Sequence, residues 1–273
     1  MGVRFSLPAP NKRCQRQLTF FVWSQGRAES NEKSSLFCRL GKIYAEPEKA
    51  SLYFEAFSLI GPHDIPQPNI SLFVGSGALY SILPKLGDTV PVVVDVDKGT
   101  LEVNALIGKI ITESASLVET MRNIEQSDEL FAANDGGLGG RQYLKNLEIE
   151  RESLKSMHWT EPDRLPLVRK ALSKTSPYFV QANVLDPHFA AEIQRAAKIT
   201  GRKIGLINMT NVHGWLDIDA RKALLDGFPV HENANIIFSS YTGSTEGSRL
   251  QSHVVKGVDN YRKIAAEDTI DMY

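Results

Sequence analysis

One stretch constrains the fold of this chain more than any other: two apolar runs, the first ending in glycines and the second in aspartates. The run Asn69-Ile-Ser-Leu-Phe-Val leads into Gly75-Ser-Gly77, and Pro91-Val-Val-Val leads into Asp95, about 20 residues after Gly75. This spacing is typical of a nucleotide-binding β-α-β unit. Its glycines let the backbone approach a ligand, and its carboxylate accepts hydrogen bonds from ribose hydroxyls. The stretch therefore predicts a nucleotide site at the carboxyl ends of parallel strands.

The alternation of strands and helices continues beyond this unit. Apolar runs predict strands at 70–74, 92–96, 178–184, 204–209 and 235–240, with helical patterns between them. Strands separated by helices favour a parallel sheet that is covered on both faces. We therefore expect an α/β fold with a mostly parallel, doubly wound sheet.

The remaining segments are expected to surround that sheet. Residues 1–34 are predicted to form an irregular N-terminal arm, and residues 35–68 to form N-terminal helices. A Rossmann-like cofactor-binding domain is expected over 69–273. It would carry a helical insertion or lid at 112–175, because that stretch is too long for a simple connection.

Charge and composition disfavour several classes of partner. The formal net charge is −1, which gives no electrostatic reason to expect nucleic acid or an anionic membrane. No apolar run approaches the ~20 residues of a spanning helix, and no signal peptide is recognisable. Cys14 and Cys38 are isolated and lack metal-ligand spacing. We expect a cytoplasmic protein with no metal site, although secretion by a signal-independent route would leave no trace in the sequence.

The order of the polar strand ends resembles that of a class I S-adenosylmethionine-dependent methyltransferase. Val74-Gly-Ser-Gly-Ala78 is similar to that family's glycine loop, and Val94-Asp-Val-Asp97 to its ribose-binding acid. Phe179-Val-Gln-Ala-Asn183 resembles the third-strand motif, and Ile207-Asn-Met-Thr-Asn211 the fourth-strand motif.

This resemblance covers residues 69–115 and 177–243, and it implies both a cofactor and its contacts. The cofactor would be S-adenosyl-L-methionine, bound by a sheet of the class I methyltransferase type, and a small molecule or a protein would accept the transferred group. The cofactor-binding residues implied are Gly75, Ser76, Gly77, Asp95, Val96, Asn183, Val184 and Asn208. Arg141 lies in the predicted insertion, outside the resemblance. We expect it to pair with the methionine carboxylate if the glycine-rich stretch before it is a lid; the alternative is a flexible connector. The residues expected at the transfer site are His213, Asn211 and Tyr80. Phe73 and Leu79 depart from the family pattern, which usually has an acid and a third glycine at those two positions.

Several of these residues have a second interpretation that the sequence leaves open. Asp97 can cap the following helix, and Asn183 can form a turn at its strand end. His213 is either a general base or a neutral hydrogen-bonding residue beneath the cofactor. Tyr80 either touches the cofactor or packs against the first helix.

Alternatives also remain for the activity. A similar Ser-Asn-Val run occurs in aminocarboxypropyl transferases, which use the same cofactor but transfer its amino-acid arm. An NAD-dependent oxidoreductase would use a related sheet. The Phe73 and Leu79 departures also fit a catalytically degenerate Rossmann-like binding module.

Overall fold

A computed structural model describes residues 61, 64–75, 78–128, 130, 147–148, 150–152, 154–209, 216, 218–242 and 249–267. The predicted arm at 1–34 and most of the predicted helices at 35–68 lie outside these residues. The described strands are β1 (Asn69–Val74), β2 (Thr89–Asp95), β3 (Tyr178–Gln181), β4 (Lys203–Asn208), β5 (Val230–Thr242) and β6 (Arg249–Lys256).

The strands form one six-stranded sheet in the order β3-β2-β1-β4-β5-β6. The first five strands are parallel to one another, and β6 runs antiparallel to β5. The predicted α/β class and mostly parallel sheet are therefore confirmed. Every residue of β1 is buried, as expected for a central parallel strand that is covered on both faces.

The helices begin and end near the polar residues and prolines that interrupt the apolar periodicity of the sequence. Those with described bounds are α1 (Leu79–Ile82), α2 (Lys98–Glu113), α3 (Leu117–Glu125), α4 (Leu165–Lys174), α5 (Pro187–Thr200), α6 (Ile218–Ala223) and α7 (Val258–Glu267). Pro84 lies in a 3-10 turn, Leu83–Lys85, that directly follows α1. Asp186 caps α5 by accepting the His188 N–H at 2.9 Å.

Two apolar cores lie on opposite faces of the sheet. Adjacent residues of a strand point to opposite faces, so Phe73 belongs to one core and Leu72 to the other. The Phe73 core includes residues of α1, α2, α3 and α4, and the Leu72 core includes residues of α5 and α7. The sheet is therefore wound on both faces, as the strand–helix alternation predicted.

The structure corrects the ends of two predicted strands and adds two elements. The third strand was expected to reach residue 184, but it ends at Gln181 because the chain turns there. The fifth was expected over 235–240, but it spans Val230–Thr242 because β6 pairs along it as far as Thr242. The sequence analysis identified neither β6 nor α7.

The described parts of the predicted insertion pack against the sheet. Leu154, Trp159 and Val168 are buried in the Phe73 core. Arg169 of α4 ties this segment to the corner between α2 and α3. Its Nε donates to the Ile111 carbonyl at 2.8 Å, and its Nη1 donates to the Ala115 carbonyl at 3.2 Å. Much of the predicted insertion therefore contributes to the core beside the sheet.

A membrane-spanning helix would have to be both long and apolar. No helix in the described part of the chain meets both conditions.

Candidate functional site at the carboxyl edge of the sheet

The order of the strands defines one edge where a ligand can be held. The chain passes from β1 outward to β2 and β3, whereas β4 and β5 lie on the other side of β1. In open α/β sheets, ligands bind beyond the carboxyl ends of the strands at such a reversal. Gly75, Asp95, Asn183 and Asn208 lie at or just beyond the carboxyl ends of β1, β2, β3 and β4, respectively.

Gly75 begins a tight turn after β1. Its φ angle is +80°, a left-handed conformation that strains any residue with a side chain, and its N–H donates to the Val94 carbonyl at 2.9 Å. Ala78 is also left-handed, with φ +52°, where α1 begins. Ser76 and Gly77, both predicted to contact the cofactor, lie outside the described residues. Both described ends of the loop are thus in the left-handed region of backbone conformation.

Asp95 lies directly beside this turn. A Cβ atom added to Gly75 would be 3.7 Å from Asp95 Oδ2, so the structure brings the glycine turn and the predicted ribose acid together. Asp95 Oδ1 accepts the Asp97 N–H at 2.8 Å. Asp95 Oδ2, the second carboxylate oxygen, is the atom that lies beside the Gly75 turn.

Partial burial changes the pKa of the Asp95 carboxyl group. Desolvation is the main cause that raises its pKa from 3.8 to about 6, and the negative charge of Asp97 adds to the rise. Hydrogen bonds from the Asp97 and Val96 backbones oppose it. The desolvation outweighs these hydrogen bonds, and a strongly raised carboxyl pKa at a strand end makes Asp95 a candidate functional residue.

Asp97 has a different role, and the capping interpretation is confirmed. Its Oδ2 accepts the Thr100 N–H at 2.9 Å and the Thr100 hydroxyl at 2.7 Å, and its Oδ1 accepts the Gly99 N–H at 3.2 Å. Both oxygens therefore stabilise the start of α2. Of the two aspartates at the end of β2, Asp97 caps α2, whereas Asp95 lies beside the Gly75 turn.

Val96 and the turn after β3 complete the described edge. Val96 is 57% exposed, which is unusual for a large apolar residue directly after a buried strand. Asn183 is exposed, and its side-chain oxygen accepts the Leu185 N–H at 3.0 Å, so it does form the predicted turn. Val184 is buried beside it. The amide nitrogen of Asn183 makes no hydrogen bond to the described part of the chain and points to no fixed partner.

Asn208 differs from these residues because it is only 1% exposed. It ends β4 and pairs in register with Phe73 on β1 and with Ile237 on β5. Phe73 is itself fully buried. The position of Phe73, where the methyltransferase pattern usually has an acid, is therefore occupied by an aromatic ring in the core.

Tyr80 is held in the core and is not directed to the carboxyl edge. Its hydroxyl donates to the Asn104 carbonyl of α2, and burial raises its pKa far above the usual range. It also lines a half-open cavity of about 270 Å³ between α2, Leu172 and Phe179. The structure therefore agrees with the interpretation in which Tyr80 packs against a helix. That helix is α2.

A substitution in α2 tests how tightly Tyr80 is held. A Cβ on Gly108 would lie 2.5 Å from the Tyr80 hydroxyl oxygen. Gly108→Ala should therefore lower the free energy of unfolding by about 1–3 kcal/mol, the usual cost of overpacking. Tyr80→Phe removes the nearest atom, so urea denaturation should show that the double variant is less destabilised than the sum of the single variants. Additive effects would show that the hydroxyl is not confined against α2.

Three further predicted site residues lie outside the described residues: Arg141, Asn211 and His213. The structure therefore brings together Gly75, Asp95 and Val96. Asn183 follows β3, which is next to β2, and Asn208 ends β4, which is next to β1. Among the described residues no group of His, Cys, Asp and Glu is arranged to hold a metal ion.

Gln181 was missed by the sequence analysis. Its side-chain amide donates to the Val96 carbonyl at 3.2 Å and so links the ends of β2 and β3. Its pairing with Asp95 across the sheet was the available signal, but it required the strand order.

The fold and this edge define an α/β protein with a mostly parallel sheet covered on both faces, in which a left-handed glycine turn lies beside the partly buried Asp95 carboxylate. No known protein-family model matches the chain, and no curated protein matches it.

Proposed function

We propose that this protein is an S-adenosylmethionine-dependent transferase, most simply a methyltransferase acting on a small molecule or a protein in the cytoplasm. The observation that carries the proposal is the contact between the left-handed Gly75 turn and the Asp95 carboxylate. A ribose that lies over the turn would place its hydroxyls within reach of Asp95. The resemblance of the strand-end motifs supports the class I methyltransferase type of sheet.

The adenine end of the cofactor would lie toward β3. Val96 offers an exposed apolar surface next to Asp95, against which a flat base can pack. The free amide nitrogen of Asn183 can donate to an adenine ring nitrogen, and its oxygen keeps a second lone pair for the N6 donor. These contacts would orient the cofactor without any charged group besides Asp95.

The methionine end has fewer described candidates. Phe73 stands at the position of the usual acid and is fully buried, so it provides no acceptor for the amino group. Asn208 is the nearest polar side chain across the sheet, one strand away from Phe73. We assign the carboxylate of the methionine to Arg141 on the expectation that the insertion is a lid, and the transfer site to Asn211 and His213 from their place after the fourth strand in the sequence.

The bound cofactor supplies an electrophilic carbon on a sulfonium centre, whose thioether leaves without protonation. The residues of the chain therefore need only bind, align the acceptor and exclude water. This requirement fits the carboxyl edge of the sheet, which among the described residues contains the Asp95 carboxylate and no acid–base pair.

An oxidoreductase that binds a dinucleotide fits the sheet less well. Dinucleotide-binding sheets consist of two βαβαβ halves, which together supply six parallel strands. Here β4 and β5 are followed by the antiparallel β6, so the second half lacks its third parallel strand within the described residues. A catalytically degenerate binding module remains an alternative because Phe73 and Leu79 remove two usual features of the loop.

Calorimetry tests the proposal directly. We expect S-adenosylmethionine and its demethylated product to bind the full chain with micromolar affinity, equivalent to about −8 kcal/mol. NADH should not bind. Binding of NADH alone would favour the oxidoreductase, and binding of neither nucleotide would contradict both enzyme proposals.

The transferred group can be identified separately. A lysate would be incubated with the protein and with cofactor labelled either at the methyl carbon or in the aminocarboxypropyl arm. Methyl label recovered in a product by mass spectrometry supports the methyltransferase, and label from the arm supports the aminocarboxypropyl transferase. Binding without transfer of either label would support the degenerate module.

A further inference from the structure

A half-open cavity lies beside β3, the strand at one edge of the described sheet. Its volume is about 270 Å³, and it is bounded by the second half of α2 and by the segment from Leu172 to Phe179. The α2 residues that line it begin at Ala105, about 10 Å along the helix from Lys98. The cavity therefore begins about two helical turns beyond the end of β2, and the carboxyl-edge site does not include it.

Four of the lining residues give the cavity an apolar wall. Tyr80 and Leu172 are buried, and Pro177 and Phe179 are partly buried. The Tyr80 hydroxyl donates to the Asn104 carbonyl, so the tyrosine contributes ring surface to the wall. Apolar surface of this kind favours a ligand group that displaces water from it. Because two of the four residues are aromatic, the wall suits a ring or a branched aliphatic group.

The mouth of the cavity is charged. Lys109 and Glu113 both line it, are exposed, and lie four residues apart on one face of α2. Lys98 and Glu102 have the same spacing and order on this helix, and their charged atoms pair at 2.6 Å. Lys109 and Glu113 form no such pair with each other in the part of the chain that the structure describes. One cation and one anion are thus available beside the apolar wall.

Two hydroxyl groups add hydrogen-bonding capacity. Thr112 donates to the Gly108 carbonyl at 2.8 Å, and its oxygen can still accept a hydrogen bond from a ligand. Ser176 is exposed, and its hydroxyl makes no hydrogen bond within the described ranges. An ammonium group has three donors, so it can use these oxygens together with the Glu113 carboxylate.

The volume of the cavity limits the size of its ligand. Pockets that hold drug-sized molecules have volumes of about 300–1,000 Å³, and this cavity is slightly smaller. A nucleotide cofactor is therefore too large to be held within it. A molecule of about a dozen non-hydrogen atoms is of the appropriate size.

We propose that this cavity binds a free α-amino acid with an apolar side chain. The side chain of the ligand would pack against Phe179 and Leu172. Its carboxylate would pair with Lys109, and its ammonium group with Glu113. A zwitterion matches both charges of the mouth, whereas a simple amine or a simple carboxylate matches only one. The proposal does not depend on the proposed transferase activity.

Calorimetric titration of the full chain with L-phenylalanine and three analogues tests the chemistry of the ligand. We expect L-phenylalanine to bind with a dissociation constant of roughly 1 mM or below. Phenethylamine lacks the carboxylate and hydrocinnamate lacks the ammonium group, so each should bind about twofold to fivefold more weakly, as expected for loss of one exposed ion pair. L-Alanine lacks the ring and should bind more than about 10-fold more weakly.

Substitutions at the mouth test the assignment of each charge. Lys109→Gln should remove the preference for L-phenylalanine over phenethylamine, because no cation then pairs with the carboxylate. Glu113→Gln should remove the preference over hydrocinnamate for the corresponding reason. Lys98→Gln is the matched control, since it removes the Lys98–Glu102 pair on the same helix and should keep both preferences. Asp95→Asn should leave L-phenylalanine binding unchanged, which separates this cavity from the carboxyl edge.

Several results would overturn the proposal. The site is wrong if L-phenylalanine does not bind the unaltered protein, or if Lys109→Gln and Glu113→Gln keep both preferences. Phenethylamine or hydrocinnamate that binds the unaltered protein as tightly as L-phenylalanine would replace the amino acid with a singly charged ligand. Sedimentation at increasing protein concentration tests another occupant. Dimerisation that Ala105→Arg abolishes would show that a second copy of the chain covers the cavity.

Discussion

Asp95→Asn should weaken the binding of S-adenosylmethionine by about 10-fold to 100-fold and, at neutral pH, make the free protein more stable. The loss of affinity follows from replacing charge-assisted hydrogen bonds to the ribose, each worth about 1.5–3 kcal/mol, with neutral ones. Isothermal titration calorimetry measures it. Weaker ligand binding together with greater folding stability is expected when a ligand-binding carboxylate is replaced, and not when a structural one is.

The gain in stability follows from the pKa. Burial raises the pKa of Asp95 in the folded protein from 3.8 to about 6, so the folded state holds this proton more tightly than the unfolded state. The associated stability is present below the unfolded pKa and is lost as the pH rises through about 6. Asn carries no charge, so above that pH the variant should be more stable by about 1–3 kcal/mol. Urea denaturation at pH 4 and pH 7 would show the difference only at the higher pH.

The affinity should depend on pH in the opposite sense. A ribose hydroxyl donates best to the ionised carboxylate, so binding to the unaltered protein should weaken as the pH falls below about 6. Asp95→Asn should show no such dependence. Asp97→Asn is the matched control, because Asn is an equally good cap for α2 and should keep the affinity within about threefold. If Asp95→Asn leaves affinity unchanged, the ribose assignment is wrong.

Trp159→Ala should lower the free energy of unfolding by about 3–5 kcal/mol, the usual cost of removing a buried aromatic side chain. Trp159 is 1% exposed in the Phe73 core, and its backbone N–H donates to the Ser81 hydroxyl of α1 at 3.0 Å. The substitution leaves that backbone hydrogen bond in place. The measured loss would therefore report on the packing of the ring against the sheet.

Val118→Ala provides the comparison on the same side of the sheet. Val118 is 79% exposed on α3, and its truncation should change stability by less than about 0.5 kcal/mol. A small effect of Trp159→Ala would mean that residues 154–160 behave as a detachable lid. A large effect would mean that folding of the sheet requires this part of the predicted insertion.

The sequence predicted the parts of the fold that depend on local patterns. The buried runs of β1, β2 and β4 contain adjacent branched apolar residues, which indicate strands covered on both faces. The spacing of Gly75 and Asp95 predicted their contact, because the ends of neighbouring parallel strands meet at one edge. The capping role of Asp97 follows from short-range hydrogen bonds that any helix start requires.

What the sequence did not predict depends on contacts between distant residues. β6 contains Gln251, Ser252 and His253, and it is a strand because β5 provides its partner. Tyr80 follows the glycine loop closely in sequence, but its ring lies in the core, where Gly108 leaves room for its hydroxyl because glycine has no side chain.

The strand order also means that the two halves of the chain cannot fold as separate sheets. β1 and β2 come from one half and lie between β3 and β4, which come from the other. Each half alone would expose strand edges that are fully paired in the intact sheet. Division of the chain anywhere between β2 and β3 would therefore separate strands that are adjacent in the sheet, and each fragment would need the other to complete it.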